Sequence, residues 1–353
     1  MPVLQPKKLL ILNILEILKN HTNPENPITQ KKIAEYLEKE YGMVAERKAI
    51  KRNLTELMEA GYPVRIKTEK ARNGINRKTG EAEENIACSD FYYEHPFSDA
   101  ELRMLIDSVL FSRSTPKKQG RELIRKLEEL TDKSFQYRVN HIASLPENRP
   151  ENKQLFYTIE VLDEAISRKR QVEFTYNGYG TDKKLHPRLD EDGQPKRQIV
   201  NPYQMVAANG RYYLICNYDQ HDNVTYCRLD RITDIMLLDT PQKPARSIPE
   251  LKNGLDLPRH MAEHLYMFPG KSERVTFRAK KNLLNDLIDW FGRDIQFSDE
   301  TEDEITAVVS VNLESMRLWA LQYALHVRVL KPEQLRDQVR ADIVEAAKNY
   351  DVE

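Results

Sequence analysis

Residues 209–232 read NGRYYLICNYDQHDNVTYCRLDRI, and how they pair decides the fold of the middle of the chain. Two apolar runs flank a polar loop, the signature of an antiparallel hairpin. If the chain turns over between Asn217 and Val224, Tyr213 falls opposite Arg228 and Ile215 opposite Tyr226. Those four side chains then share one face, while Tyr212, Leu214, Cys227 and Leu229 take the other. A slip of one residue would break this pairing. An arginine across from a tyrosine can lie along the ring and still aim its fork at an anion. The alternative is a solvated arginine on a sheet edge. Arginines pinned by nearby carboxylates would also defeat the anion reading.

Working outward, Asn209-Gly210 is a strong two-residue hairpin signal between IVNPYQMVAA and RYYLICNYD. QVEFTYNG upstream alternates as a strand, and FYTIEVLDEAISRKR before it reads as a helix. The middle region is therefore expected to be a small antiparallel barrel or strongly bent sheet. Past residue 270 the pattern runs strand, helix, two strands, helix, which suggests a two-layer α/β sandwich with Trp290, Trp319 and Tyr323 in its packing.

A chain of 353 residues exceeds one ordinary core, so two to four domains are expected. Hydrophobic residues make up 40% and charged residues 31%, a globular mixture with no run of membrane-spanning length. Asn13 and Glu16 interrupt the apolar start, which reads as an amphipathic helix and not as a signal peptide. Cys88, Cys216 and Cys227 match neither a zinc site nor a disulfide framework, so a cytoplasmic setting and no cofactor are expected.

Net charge is −1 but unevenly spread: residues 1–80 hold 16 Lys and Arg against 9 Asp and Glu. A basic head on an acidic body suggests a polyanion as the head's partner. Three helices are predicted there, near 6–19, 30–39 and 46–59. Thr29 caps the second, Ile28 staples onto Ile33, and Gly61 ends the third. Ile50, Leu54, Leu57 and Met58 form the buried stripe of the third helix, and Arg47, Lys48, Lys51, Arg52 and Thr55 its polar face. PVRIKTEK and ENIACSDFYYE then read as arms of a basic hairpin carrying Arg72, Arg77 and Lys78. This is a winged helix-turn-helix order, and these eight residues are the candidate contacts to double-stranded DNA. Residues 91–151 read as a helical connector. Its helices are expected near 99–112, capped by Ser98 or Asp99, and 117–131, with Leu123, Leu127 and Leu130 as the buried stripe of the second.

Two resemblances add to this reading. The third helix resembles the recognition helix of DeoR-like winged helices, keeping Arg52 but carrying Glu46, Ala49 and Asn53 where Ser, Thr and Asp are usual. NPYQMVAANGRYYLICNY followed by YCRLDRI resembles the WYL domain, with Tyr212, Tyr213 and Leu214 standing for the Trp-Tyr-Leu triad. That resemblance implies an Sm-like β-barrel that binds an effector, often a nucleotide or nucleic acid. It implies ligand contacts from Tyr203, Tyr213, Arg228 and Arg231, to which the assumed register adds Tyr226. The tail resembles the extension that follows WYL domains in bacterial transcription regulators.

The expected architecture is thus multidomain α+β: a winged helix-turn-helix over 1–90, the connector over 91–151, a WYL barrel over 152–241 and the α/β extension over 270–353. The expected function is transcription regulation by a homodimer that binds DNA and an anionic effector, away from membranes. A nucleic-acid- or nucleotide-processing enzyme is the alternative, although neither a phosphate-binding glycine loop nor a metalloprotease His-Glu-x-x-His is present. A winged-helix scaffold for another protein is a third.

Overall fold

The computed structural model describes residues 6–75, 82–135, 152–252 and 254–351, and gives only the strand backbone for those described between 69 and 88. The chain divides into two compact units, 1–111 with 117–147 and 112–116 with 148–353.

The first unit opens with helices α1 (Leu10–His21), α2 (Gln30–Tyr41) and α3 (Arg47–Glu59). Apolar residues three and four apart give each helix one buried stripe. Ile14, Ile17 and Leu18 meet Ile33, Leu37, Ile50, Leu54 and Leu57 in one core. Thr29 caps α2 by accepting from the Lys32 amide at 3.3 Å, and Gly42 closes it in the left-handed region at φ 61°. Strands β1 (Val64–Ile75) and β2 (Ala82–Tyr93) pair antiparallel from Val64↔Tyr93 to Ile75↔Ala82. Val64 and Phe91 anchor this hairpin in the helical core.

Helices α4 (Asp99–Phe111) and α5 (Lys117–Glu128) follow. Ser98 and Glu101 form a capping box: the Glu101 carboxylate accepts from the Ser98 amide at 2.8 Å, and the Ser98 hydroxyl from the Glu101 amide at 3.3 Å. Helix α5 ends three residues before the expected boundary. Leu130 therefore leaves the stripe and is 39% exposed, and Ile124 packs beside Leu127 instead. Asn23, just after α1, donates to the Asp132 carboxylate at 2.7 Å, tying the end of this helical pair to the three-helix core.

The second unit holds two sheets. Helix α6 (Leu155–Arg168) leads into β3 (Arg170–Tyr179), β4 (Leu185–Pro187), β5 (Arg197–Ala208), β6 (Arg211–Tyr218), β7 (Thr225–Arg228) and β8 (Ile232–Pro241). The strand order is β4-β3-β5-β6-β7, with β8 pairing β3. Asn209 and Gly210 both have positive φ, 51° and 72°, and make the two-residue turn between β5 and β6. The β5–β6 register shifts between Pro202 and Gln204, so Tyr203 sits in a bulge where proline's missing N–H breaks the ladder.

This sheet is open, which corrects the expectation of an Sm-like barrel. Closure requires β7 to pair with β8, and no such pairing occurs among the described residues. Strand β7 is only four residues long, and a 3-10 turn over Leu229–Arg231 follows it directly. The turn sends β8 onto β3, with Tyr176 opposite Ile232 and Thr175 opposite Thr233.

Two cores flank the sheet. Leu162, Ala165, Val172, Phe174, Leu214, Cys216, Cys227 and Leu229 pack beneath α6. On the other side Val206, Ile215 and Val224 meet Ile248, Leu251 and Met267 from the segment that includes α7 (Leu257–Glu263). The second sheet follows, β9 (Ser272–Lys280), β10 (Gln296–Ser298), β11 (Glu304–Asn312) and β12 (Val327–Lys331), in the order β10-β11-β9-β12. Helices α8 (Leu284–Phe291), α9 (Leu313–Gln322) and α10 (Glu333–Lys348) accompany it. Trp319 is fully buried at its core beside Phe277 and Phe291, with Trp290 and Tyr323 packed around it. This is a split β-α-β layout, the two-layer arrangement that the tail's pattern suggests.

Asn201, fully buried, binds the first sheet together. Its carbonyl accepts from Gln171 at 3.0 Å and from the Lys243 amide at 2.7 Å, while its amide donates to the Asp219 carboxylate at 3.1 Å. Replacing it strands several buried polar groups at once. Asn201→Ala is expected to lower stability by about 3 kcal/mol, read as a shift in the urea midpoint with an unchanged slope.

Candidate anion site

Strands β6 and β7 pair with Tyr213 opposite Arg228 and Ile215 opposite Tyr226. The assumed register holds, because the loop from Asp219 to Val224 closes the hairpin where the hydrophobic pattern requires it. The face so formed is largely occupied from within. Ile215 is buried, and Tyr203, Tyr213 and Tyr226 pack against the same cluster as Ile248, Leu251 and Met267. Tyr203 donates to the Lys243 carbonyl at 3.0 Å, and burial pushes its phenol up to about 12. The Tyr226 hydroxyl lies 2.9 Å from Nε2 of His260 and 3.4 Å from Nδ1 of His264, two rings stacked 4.3 Å apart.

Arg228 is also committed. Its Nε donates to Oδ1 of Asp230 at 3.0 Å and its Nη2 to Oδ2 at 2.6 Å. The Asp230 side chain is 1% exposed and that of Arg228 16%, so this is a buried bidentate pair. The pin that would defeat the anion reading is present at this arginine. Arg231 differs: its guanidinium lies 5.8 Å from the Tyr179 ring centre, and its buried Nε has no hydrogen-bond partner among the described residues.

Other groups gather there. Tyr176 accepts from the Arg228 amide at 3.1 Å, and the Arg188 guanidinium lies 5.3 Å from the Tyr176 ring centre. Burial raises the Tyr176 phenol, opposed by the charges of Arg231 and Arg228. Burial also raises Tyr213, with Asp230 adding and Arg231 opposing. All of these phenols stay neutral at pH 7 and present donors. Among the described residues Arg228 is paired with Asp230, and neither Arg231 nor Arg188 has an ion pair. Arg188 also lines a cleft of about 570 Å³ with Lys196, Arg197 and His221. Arg197 is paired there with Glu173 at 3.3 Å.

Reasoning from the sequence left out Tyr176, Tyr179, Arg188 and Asp230. A signal existed for Asp230: in extended chain, residues two apart share a side, so Arg228 and Asp230 in RLD are placed to meet. None existed for Arg188, which reaches Tyr176 only through the pairing of β4 with β3.

In the first unit, Arg47, Lys48, Lys51, Arg52 and Thr55 are all exposed on α3. Arg47 donates to Gln30 at 3.0 Å, and Arg52 lies 3.6 Å from Glu56. Asn53 is buried and donates to the Ala49 carbonyl at 2.7 Å, so it faces the core. Arg72 lies on β1 opposite Asn85, while Arg77 and Lys78 fall outside the described residues.

Residues 157–237 match the family model of the WYL domain, and residues 271–347 that of the WCX domain. The chain contains a WYL domain. A Bacillus subtilis (strain 168) protein named as the uncharacterized HTH-type transcriptional regulator YobV is 22% identical over 197 residues, covering 54% of this chain and 55% of that one. The chain thus spans about half the length of this curated relative. Two solved structures are similar: proteasome accessory factor B/C of Arthrobacter aurescens, at 14% identity over 99% of this chain and 50% of that one, and a CRISPR Cas-related protein, at 13% over 98% and 84%. Their TM-scores are 0.28 and 0.36.

Two outcomes are expected from this geometry. Arg228→Ala leaves the Asp230 carboxylate buried and unpaired, so it should cost the WYL domain about 3–5 kcal/mol in chemical denaturation. The second concerns pH. Burial, then the neighbouring His264, lowers His260 from the usual 6.5 to about 4, with Glu263 opposing, and burial also lowers His264. The unfolded chain takes up the His260 proton near pH 6.5 and the folded chain only near pH 4, and His264 shifts in the same direction. Stability is therefore complete above 6.5 and falls as pH drops, by about 3 kcal/mol at pH 4 for His260. Denaturation midpoints measured between pH 7 and 4 should show this fall, and His260→Gln should flatten it.

Proposed function

We propose that this chain is a DNA-binding transcriptional regulator whose WYL domain binds an anionic ligand, a nucleotide or a single-stranded nucleic acid. The observation that carries the reading is Arg231: a cation with a buried, unpartnered Nε among neutral phenols. An unsatisfied buried donor is costly, and an anion relieves that cost while meeting two uncompensated charges. Arg188 is the second cation of the site, with Tyr176, Tyr179 and Tyr213 as stacking surfaces and hydroxyl donors. Arg228 serves by holding the turn, and Tyr203 and Tyr226 by holding the covering segment.

The exposed Arg47, Lys48, Lys51, Arg52 and Thr55 on α3 support major-groove binding, and the sequence adds Arg72, Arg77 and Lys78 as further basic residues. The chain acts as a homodimer, each copy supplying one α3. A route for the signal runs along the chain itself. Arg113 N–H donates to the Gly210 carbonyl at 2.8 Å, and Ser114 Oγ accepts from the Tyr212 amide at 2.9 Å. Residues 112–116 separate α4 from α5, so a shift of the β5–β6 turn pulls on both helices through covalent continuity. A ligand can drive this only by binding one arrangement better than the other.

Both halves are testable. Isothermal titration with ATP and with a short single-stranded oligonucleotide should give affinities at least about tenfold weaker for Arg231→Gln, at an unchanged urea midpoint. Equal affinities in both proteins would remove Arg231 from the site. Binding to mixed-sequence duplex DNA should weaken steeply with salt, and Lys51→Ala should reduce the slope of log K against log salt by about one. Salt-insensitive binding would favour the scaffold reading.

A further inference from the structure

The core beneath α6 holds two thiols on adjacent strands. Cys216 on β6 and Cys227 on β7 are both free and buried, with their sulfurs 3.9 Å apart. The register, Leu214↔Cys227 and Cys216↔Thr225, sets them diagonally across the strand pair on one face. A disulfide needs its sulfurs about 2.0 Å apart, so each must move by about 1 Å. The two thiols are chemically unlike. The Cys216 hydrogen bond, then Tyr218 and Arg188, draws the Cys227 thiol down against the effect of burial, whereas burial pushes Cys216 up. One is thus suited to attack and the other to resolve.

Access follows from the edge. Strand β7 has four residues and pairs only with β6 among the described residues. A short edge strand with one neighbour opens locally at a lower cost than the strands behind it. That opening admits a small oxidant to the sulfur of Cys227.

We propose that Cys216 and Cys227 are an oxidation site, a dithiol that a hydroperoxide converts to an intrachain disulfide. The Cys227 thiolate attacks one peroxide oxygen; the O–O bond breaks, an alcohol or water leaves after protonation, and a sulfenic acid remains. Cys216 then attacks that sulfur; an S–S bond forms, the S–O bond breaks, and water leaves carrying the Cys216 proton. The two cysteines are oxidised by two electrons and the peroxide is reduced by two. The new bond tightens the β6–β7 hairpin one residue before Arg228, at the turn held by Asp230. The inference is independent of the anion reading.

The test uses the full chain with hydrogen peroxide in small molar excess, followed by alkylation and peptide mass mapping. The expected result is a cross-linked peptide pair containing Cys216 and Cys227, reversed by dithiothreitol, whatever the state of Cys88. In Cys216→Ser, which lacks the resolving thiol, Cys227 should accumulate as a sulfenic acid that dimedone traps. Full alkylation of both cysteines after excess peroxide would overturn the proposal. So would recovery of Cys227 as sulfinic acid in the native chain without any cross-link. The mapping needs no variant, so misfolding of Cys216→Ser would not weaken it.

Discussion

The buried fork between Arg228 and Asp230 is the contact on which the WYL domain turns. Removing two charges from water costs several kcal/mol per ion, and only close bidentate geometry offsets it. The pair spans a single intervening residue, Leu229, which is itself fully buried. The chain therefore bends sharply at the end of β7 with its polar groups paired and its apolar residue in the core. The same bend sends β8 onto β3 and leaves the sheet open. It also fixes where the next cation, Arg231, stands.

The charge pattern follows from that arrangement. One arginine of the RLDRI segment, Arg228, is neutralised from within, and the other, Arg231, has no ion pair among the described residues. The neighbouring phenols cannot compensate it, because burial holds Tyr176 and Tyr213 further toward the neutral form. Near a partly desolvated guanidinium the effective dielectric is low, so an arriving anion gains more there than at an open surface. Had Asp230 been absent, both arginines would repel each other and the turn would lose its pin. The carboxylate that pins Arg228 thus also gives Arg231 a defined place.

Pairing and register were legible in the sequence wherever local chemistry decided them. Asn209-Gly210 demands a two-residue turn between β5 and β6, the alternation in RYYLICNY separates two faces, and the polar loop from Asp219 to Val224 places Tyr213 opposite Arg228. Helices α1 to α3 were legible through stripe and caps, with Thr29 and Gly61 near their ends. What stayed hidden depended on contacts between distant segments. The cover over Tyr213 and Tyr226 comes from residues near 245–267, whose sequence gives no sign of its docking face. Arg188 sits in a polar loop and reaches the Tyr176 ring only when β4 joins β3. Barrel closure depends on whether a last edge pair forms, and strand periodicity is silent on that.

The two faces of β6 explain why a small change near Arg231 need not stay local. Leu214 and Cys216 belong to the core under α6, while Tyr213 and Ile215 belong to the core under the 245–267 segment. A strand with well-packed residues on both sides cannot rotate without disturbing both, since interiors are dense and transmit strain. Its start is bonded besides to the 112–116 segment, through the Tyr212 amide and the neighbouring Gly210 carbonyl. A displacement at the β7–β8 turn therefore acts on a strand already packed against α6 and the cover and bonded to residues 112–116. Such a strand is stiff along its length and passes a displacement to the elements packed on both its faces.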